Sequence, residues 1–242
     1  MPRPPALLSD DPLAPFPPVE QALRDPDGLL AVGGDLSPAR LLNAYAHGIF
    51  PWFSAGQPIL WWSPDPRVTF DTAGFRLPSR LRRQLRASPW TVRADTAFEA
   101  VVAQCAQAPR PGQDGTWIIP AMRRAYAALH QLGHAHSVEV YEGEALVGGI
   151  YGVGIGRMFF GESMFSGRSG GSKVALAALA GFLHEHGCPL IDAQVENPHL
   201  MRLGARLMPR EEFMEQVRAL VAGPGLEGSW GARFGERAAA AL

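Results

Sequence analysis

The stretch that decides the fold reads His136-Ser137-Val138-Glu139-Val140-Tyr141-Glu142-Gly143-Glu144-Ala145-Leu146-Val147-Gly148-Gly149-Ile150. Residues 136–141 read as a strand, Glu142-Gly143-Glu144 as a tight turn, and residues 145–154 as the hairpin partner. Gly156 marks another turn before a strand over residues 158–161. A loop follows, Gly167-Arg168-Ser169-Gly170-Gly171-Ser172. Apolar residues at 174, 176, 179, 182 and 183 then give residues 172–186 a helical period that stops at Gly187. Residues 189–195 read as a buried strand, and two short helices finish the core. Upstream lie a short strand over residues 90–93, a helix opened by Asp95 or Thr96 and running towards Gln107, and a loop over residues 108–116. A second helix has Pro120 near its start and Gly133 at its end. Three antiparallel strands followed by a strand–helix–strand crossover predict a mixed sheet with helices against it.

That order resembles the GNAT-type acyltransferase fold, an α/β (α+β) arrangement, although fold alone does not give a reaction. The first 65 residues differ in texture. One helix is clear there, with Ser37 as N-cap, Pro38 in its first turn, Leu41, Leu42 and Tyr45 on its apolar stripe, and Gly48 as its stop. Phe50-Pro51-Trp52-Phe53 and Trp61-Trp62-Ser63-Pro64-Asp65-Pro66 interleave proline with tryptophan. They predict a stiff aromatic surface rather than a helix or strand. The expected organisation is a small N-terminal domain, residues 1–65, and a GNAT-like domain, residues 66–242.

Composition narrows the function classes. With 242 residues, 47% apolar and 19% charged, the chain can build a real core. No apolar run reaches the ~18–20 residues that span a bilayer, and residues 1–18 lack the pattern of a signal peptide. A cytosolic protein with no membrane partner is expected. Cys105 and Cys188 are too far apart for a metal motif and read as buried small residues. The formal net charge is −1, but residues 75–90 hold five arginines (Arg76, Arg80, Arg82, Arg83, Arg86) and no acid. Leu77, Leu81 and Leu85 recur every four residues there, so the arginines project outward as a basic ridge able to neutralise phosphates. An ordinary solvated helix face gives the same pattern, and the ridge alone does not decide.

Polar residues in apolar surroundings mark the candidate chemistry. Glu162 ends the strand over residues 158–161, amid Phe159, Phe160, Met164 and Phe165. A carboxylate in such a wall is costly unless paired or functional. Asp192 and Gln194 interrupt the apolar run Leu190-Ile191-Asp192-Ala193-Gln194-Val195, and their i, i+2 spacing places them on one face of a strand. Lys173, the only lysine in the chain, sits after the Gly/Ser loop, where a compact ammonium and backbone amides suit an anion. The pairs His134/His136 and His184/His186 lack partners at zinc-like spacing, so no metal is expected.

These residues closely resemble the leucyl/phenylalanyl-tRNA–protein transferase family. The resemblance rests on Gly28-Leu29-Leu30-Ala31-Val32-Gly33-Gly34-Asp35-Leu36-Ser37-Pro38, Gly48-Ile49-Phe50-Pro51-Trp52-Phe53, Trp61-Trp62-Ser63-Pro64-Asp65-Pro66-Arg67 and Gly115-Thr116-Trp117-Ile118. It continues through Gly133-His134-Ala135-His136-Ser137, Leu146-Val147-Gly148-Gly149, Gly161-Glu162-Ser163-Met164-Phe165-Ser166, Ser172-Lys173 and Leu190-Ile191-Asp192-Ala193-Gln194. The pattern departs at Gly170-Gly171 and across Asn197-Pro198-His199-Leu200-Met201-Arg202. The resemblance implies an aminoacyltransferase that needs no cofactor. It moves Leu or Phe, with Met as a further donor, from charged tRNA to proteins beginning with Arg or Lys, creating an N-degron.

For the site, the resemblance implies that Asp192, Gln194 and Glu162 serve catalysis or acceptor binding. Gln194 is read as orienting the attacking amine, with Asp192 fixing that amide or holding the acceptor's positive charge, and Glu162 as touching the acceptor or the aminoacyl-adenosine end. Trp52, Trp117, Met158 and Phe160 are candidates for the side-chain pocket and adenine stacking, with Ser163 and Lys173 as further substrate contacts. Arg76, Arg80, Arg83 and Arg86 become candidates for tRNA binding, and a monomer is expected. Two other readings stay open on sequence. One is a GNAT-type enzyme using acyl-CoA, whose pyrophosphate loop Arg168-Ser169-Gly170-Gly171-Ser172-Lys173 fits loosely. The other is a non-catalytic protein that binds charged tRNA.

Overall fold

The computed structural model describes residues 4–108 and 116–242, so most of the loop expected over residues 108–116 lies outside the described residues. The chain opens with β1 (Ala6–Leu8) and β2 (Leu29–Gly33), which pair in parallel. Helix α1 (Pro38–Ala46) follows. Ser37 Oγ accepts from the Arg40 amide at its start, and Gly48 leaves it at φ +67°. Next come β3 (Phe50–Pro51) and β4 (Leu60–Trp62), completing a four-stranded sheet in the order β1-β2-β4-β3. The proline- and tryptophan-rich segments therefore form short strands, which the sequence reading did not expect. Trp61 is fully buried core rather than surface, and its indole N–H donates to the Gly33 carbonyl at 2.9 Å.

The larger sheet begins with β5 (Arg67–Asp71). Leu85 of helix α2 (Ser79–Leu85) is buried beside it, as is Leu77 just before the helix, so the expected stripe of three leucines is not wholly helical; Arg76, Arg80, Arg82, Arg83 and Arg86 are all exposed. Strand β6 (Trp90–Ala94) leads into α3 (Phe98–Gln107). The helix starts later than expected because Asp95 and Thr96 serve the sheet instead. The Asp95 carboxylate accepts from the Ser137 and Trp230 amides and from His136 Nδ1, and Thr96 donates to Glu139. Helix α4 (Pro120–Gln131) precedes the meander β7 (Ala135–Glu142), β8 (Ala145–Ile155) and β9 (Met158–Ser166). Strand β9 outruns the expected end at residue 161, so Glu162 lies within the strand.

Helix α5 (Gly171–Glu185) then crosses to β10 (Leu190–Gln194), which pairs in parallel with β9. Beyond it come α6 (Pro198–Arg202), β11 (Arg206–Met208), α7 (Arg210–Val221), α8 (Gly231–Phe234) and β12 (Arg237–Ala238). Three helices rather than two short ones finish the chain. The eight strands run β11-β5-β10-β9-β8-β7-β6-β12, a mixed sheet in which β10 lies inside, between β5 and β9. One face packs against α1, α3, α4, α7 and the small sheet, the other against α2, α5 and α8. No helix among the described residues is long and apolar enough to cross a membrane.

Helix α5 lies unusually close to β8. A Cβ built on Gly148 would come within 2.5 Å of Gly171 backbone, and one built on Gly171 would collide with the Val147 carbonyl oxygen. Both contacts are with backbone, so no side chain can yield. Gly148→Ala is expected to lower stability by about 1–3 kcal/mol through overpacking. Gly181→Ala, within the same helix but with nothing within 4 Å, is expected to raise it by roughly 0.5–1 kcal/mol. Urea unfolding of the two variants checks the pair, and equal effects would contradict the close approach.

Candidate active site

The site arises where two parallel strands part. β9 and β10 pair only as far as Phe160 and Asp192. Thereafter β9 follows β8 out to Ser166 while β10 stays with β5, where Gln194 faces Val68. A cavity of about 370 Å³ fills the resulting cleft. Phe70, Ile150, Met164, Leu176 and Ile191 form its apolar lining; Glu162, Ser163, Asp192, Asn197 and His199 bring polar groups to it.

Asp192 is fully buried and opposed by fully buried Arg67. Arg67 Nε donates to Oδ1 at 2.8 Å and Nη2 to Oδ2 at 2.7 Å, a two-pronged pair of charge-assisted bonds. Nη1 donates to the Gly48 carbonyl at 2.9 Å, and the guanidinium lies between the Phe50 and Phe213 rings at 4.8 and 4.6 Å. The same Oδ1 accepts the Gln194 backbone N–H at 2.8 Å. That bond fixes Gln194 at φ +64°, and the ladder to β5 shifts register between Asp192 and Gln194. A bulge, not simple strand alternation, therefore aims the Gln194 side chain. Its Nε2 donates to Glu162 Oε1 at 2.8 Å across the cleft.

Glu162 is held on its other side by two buried tyrosines. Tyr45 OH lies 2.7 Å from Oε1, Tyr126 OH lies 2.6 Å from Oε2, and the two hydroxyls are 2.7 Å apart. Two phenol hydrogens can serve only two of these three O···O contacts. A third hydrogen, the carboxyl proton, satisfies all three as a closed ring. Burial independently favours that neutral form and is the main cause raising the Glu162 pKa to about 7; Tyr126 and Tyr45 oppose the rise, the Asp192 charge adds to it, and Gln194 lowers it slightly. Both phenols are pushed well above their usual pKa, by burial first and the Glu162 charge second, so they remain protonated donors.

Of the other expected site residues, Ser163 lines the cavity. Met158 and Phe160 are 1% and 0% exposed and pack in the core instead, Phe160 against the Tyr45 ring. Trp52 and Trp117 are half-buried; Trp52 meets Trp62 edge-on at 5.7 Å and its carbonyl accepts the Trp62 indole N–H. Lys173 is half-buried at the start of α5. Sequence reading missed Arg67, Tyr45, Tyr126 and the apolar lining. A tyrosine on the buried stripe of each helix was the available signal, since a buried phenol needs a partner. Among the described residues, no group of three or more His, Cys, Asp or Glu is placed to hold a metal. His136 instead hydrogen-bonds Asp95 at 2.9 Å and stacks on Trp230 at 3.8 Å.

Residues 69–218 match the family described as Leucyl/phenylalanyl-tRNA protein transferase, and residues 34–65 match its N-terminal domain. A leucyl/phenylalanyl-tRNA–protein transferase of Xanthomonas euvesicatoria pv. vesicatoria (strain 85-10) is 71% identical over 240 residues, 99% of this chain and 96% of that protein. One of Xylella fastidiosa (strain 9a5c) is 62% identical over 237 residues, 98% of each. A solved GCN5-related N-acetyltransferase from Kribbella flavida is 13% identical, with 74% of this chain and 63% of that one covered at a TM-score of 0.34.

A second carboxylate, Glu139, is also raised to about pKa 7, mainly by burial, with bonds from Ser137 and Thr96 lowering it. Between about pH 4.5 and 7 the folded state binds protons at Glu139 and Glu162 that the unfolded chain has released. Stability is therefore expected to fall as pH rises through that window. Glu139→Gln should remove about 3 kcal/mol of that slope, and Glu162→Gln should also flatten it. Urea midpoints at pH 5 and pH 8 test this; an unchanged slope in both variants would contradict it.

Proposed function

The chain belongs to the leucyl/phenylalanyl-tRNA protein transferase family, and we propose that its cleft transfers Leu or Phe, with Met as a further donor, from charged tRNA to proteins beginning with Arg or Lys. The observation that carries this reading is one cavity with two ends. Phe70, Ile150, Leu176 and Ile191 offer an apolar pocket of suitable volume for an unbranched-at-Cβ side chain. Glu162 lines the same cavity and is hydrogen-bonded to Gln194.

The reaction is aminolysis of an ester. The acceptor nitrogen bonds to the carbonyl carbon, the bond to the ribose oxygen breaks, and one amine proton ends on that oxygen. An α-amino group has a pKa of about 7.7–8, so a useful fraction is neutral at pH 7 and no strong base is needed. Holding the amine on the carbonyl supplies much of the acceleration. Because Gln194 Nε2 is committed to Glu162, its Oε1 is the acceptor for an amine N–H. Both Asp192 oxygens are engaged by Arg67, which supports a positioning role acting through the Gln194 backbone rather than contact with the acceptor's cation. Glu162, titrating near 7 within its ring of tyrosines, can accept the amine proton and give one back towards the ribose oxygen.

Trp52 and Trp117 remain the candidates for stacking on the terminal adenine. The exposed ridge of Arg76, Arg80, Arg83 and Arg86 is assigned to acceptor-stem phosphates. The small sheet ends at Trp62 and the first strand of the large one starts at Arg67, which supports domains of residues 1–65 and 66–242. A cytosolic monomer whose product is an N-degron completes the reading. An acyl-CoA enzyme is disfavoured because the loop before α5 is already occupied: the Ser172 amide donates to Ser166 Oγ, and Gly170 abuts Leu81 of α2.

Mixing leucyl-tRNA with a peptide starting with Arg, and reading the peptide by mass, tests the proposal. A leucine increment is expected. No increment while the ester stays intact would overturn it.

A further inference from the structure

The mouth of the cavity carries a cluster that the reaction as described does not use. His199, on α6, lines the cavity beside Asn197. Arg202 lies three residues on, one turn along the same face of α6, and is exposed. Lys173 comes from the first turn of α5 and is half-buried. The imidazole is held below its ordinary pKa, by burial first and then by the charges of Lys173 and Arg202, which places both cations in its electrostatic reach. Neither cation forms an ion pair with a carboxylate among the described residues. Cations gathered beside a cavity-lining imidazole and not ion-paired repel one another and attract an anion.

The helix end does not account for the cluster. The Ser172 amide is taken by Ser166 Oγ, so the side chains provide the binding groups. The helix that bears the cluster's lysine also meets α2. Gly170 lies against Leu81, so α2, with Arg80 and Arg83 flanking that leucine, abuts the turn that carries Lys173. The exposed arginines of α2 thus lie on an element that meets the start of α5.

We propose that Lys173, His199 and Arg202 grip the phosphodiester next to the donor's terminal adenosine, fixing the aminoacyl ester over the cleft. This deepens the transferase reading and rests on it. The ridge on α2 holds phosphates farther along the acceptor stem, so the two contacts separate by donor length.

Three leucyl donors resolve them: leucyl-adenosine without phosphate, leucyl-adenosine 5′-monophosphate with one, and leucyl-tRNA. The wild type is expected to favour the monophosphate over leucyl-adenosine by about tenfold in kcat/KM, carried by KM. Lys173→Met with Arg202→Ala should abolish that preference and reduce the salt slope with leucyl-tRNA by about one to two, while Lys173→Arg keeps the preference. Arg80→Glu with Arg83→Glu should weaken only leucyl-tRNA. Absence of a wild-type preference, its survival in the Lys173/Arg202 double variant, or an equal loss on both short donors would overturn the grip. Failure of the wild type with every leucyl donor would instead overturn the transferase reading, and the grip with it.

Discussion

The buried pair Arg67–Asp192 is the interaction on which the site depends. Two fully buried charges are costly to desolvate, and only good geometry recovers that cost. Here the carboxylate receives two guanidinium bonds and a backbone N–H, and the guanidinium also reaches the Gly48 carbonyl and lies between two aromatic rings. Losing either partner would leave an uncompensated buried charge, a penalty of about 3–5 kcal/mol. The pair also ties three parts of the chain together. Arg67 opens β5, Gly48 and Phe50 belong with the small sheet, and Phe213 is on α7. A pair made only for stability would be hard to justify, because apolar residues of similar size often do as well.

Its consequence is the conformation of Gln194. A non-glycine residue at φ +64° costs roughly 1–3 kcal/mol. A backbone N–H bonded to an ionised carboxylate returns about 1.5–3 kcal/mol, so the two terms are comparable and the turn can persist. From there the chain of cause is short. The turn aims the amide at Glu162, Glu162 is closed on its far side by Tyr45 and Tyr126, and the strands part to leave a cavity beside them. At the cleft's floor the buried charges are the Arg67–Asp192 pair, and beside them stand a neutral amide, two phenols and a carboxyl whose pKa burial raises to about 7. Such a set suits a reaction whose ester is already activated.

The most legible elements in the sequence were those with strong local signals. Ser37-Pro38 and Gly48 bracket α1, the Glu142-Gly143-Glu144 turn fixes the hairpin, and Gly187 ends α5. The strands of the small sheet were not legible, because two or three residues around Pro51 or Trp61 cannot display a period of two. The start of α3 was misread since Asp95 and Thr96, good caps by type, are engaged by β7 and the segment before α8. Glu162 and Gln194 stood out as polar residues in apolar strands. Their partners did not: Arg67 is 125 positions from Asp192, and Tyr45 is 117 from Glu162. Met158 and Phe160 looked like pocket residues, yet both pack into the core, and the cavity is lined by later residues of β9 and by β5, β8, α5, β10 and α6. Sequence shows which residue types are out of place; long-range pairing decides what they face.

The central claim is that Gln194 orients the amine and does not deprotonate it. The pH–rate profile of Gln194→Glu tests that most directly. A carboxylate there would face Glu162 at hydrogen-bond distance, so the two must share a proton, and ionising both as pH rises would drive them apart. The account predicts that kcat/KM for leucyl transfer is about a hundredfold or more below that of the wild type and that the deficit widens from pH 6 to 9. Activity close to the wild type's, with the variant-to-wild-type ratio rising with pH, would mark position 194 as the seat of a general base and contradict it.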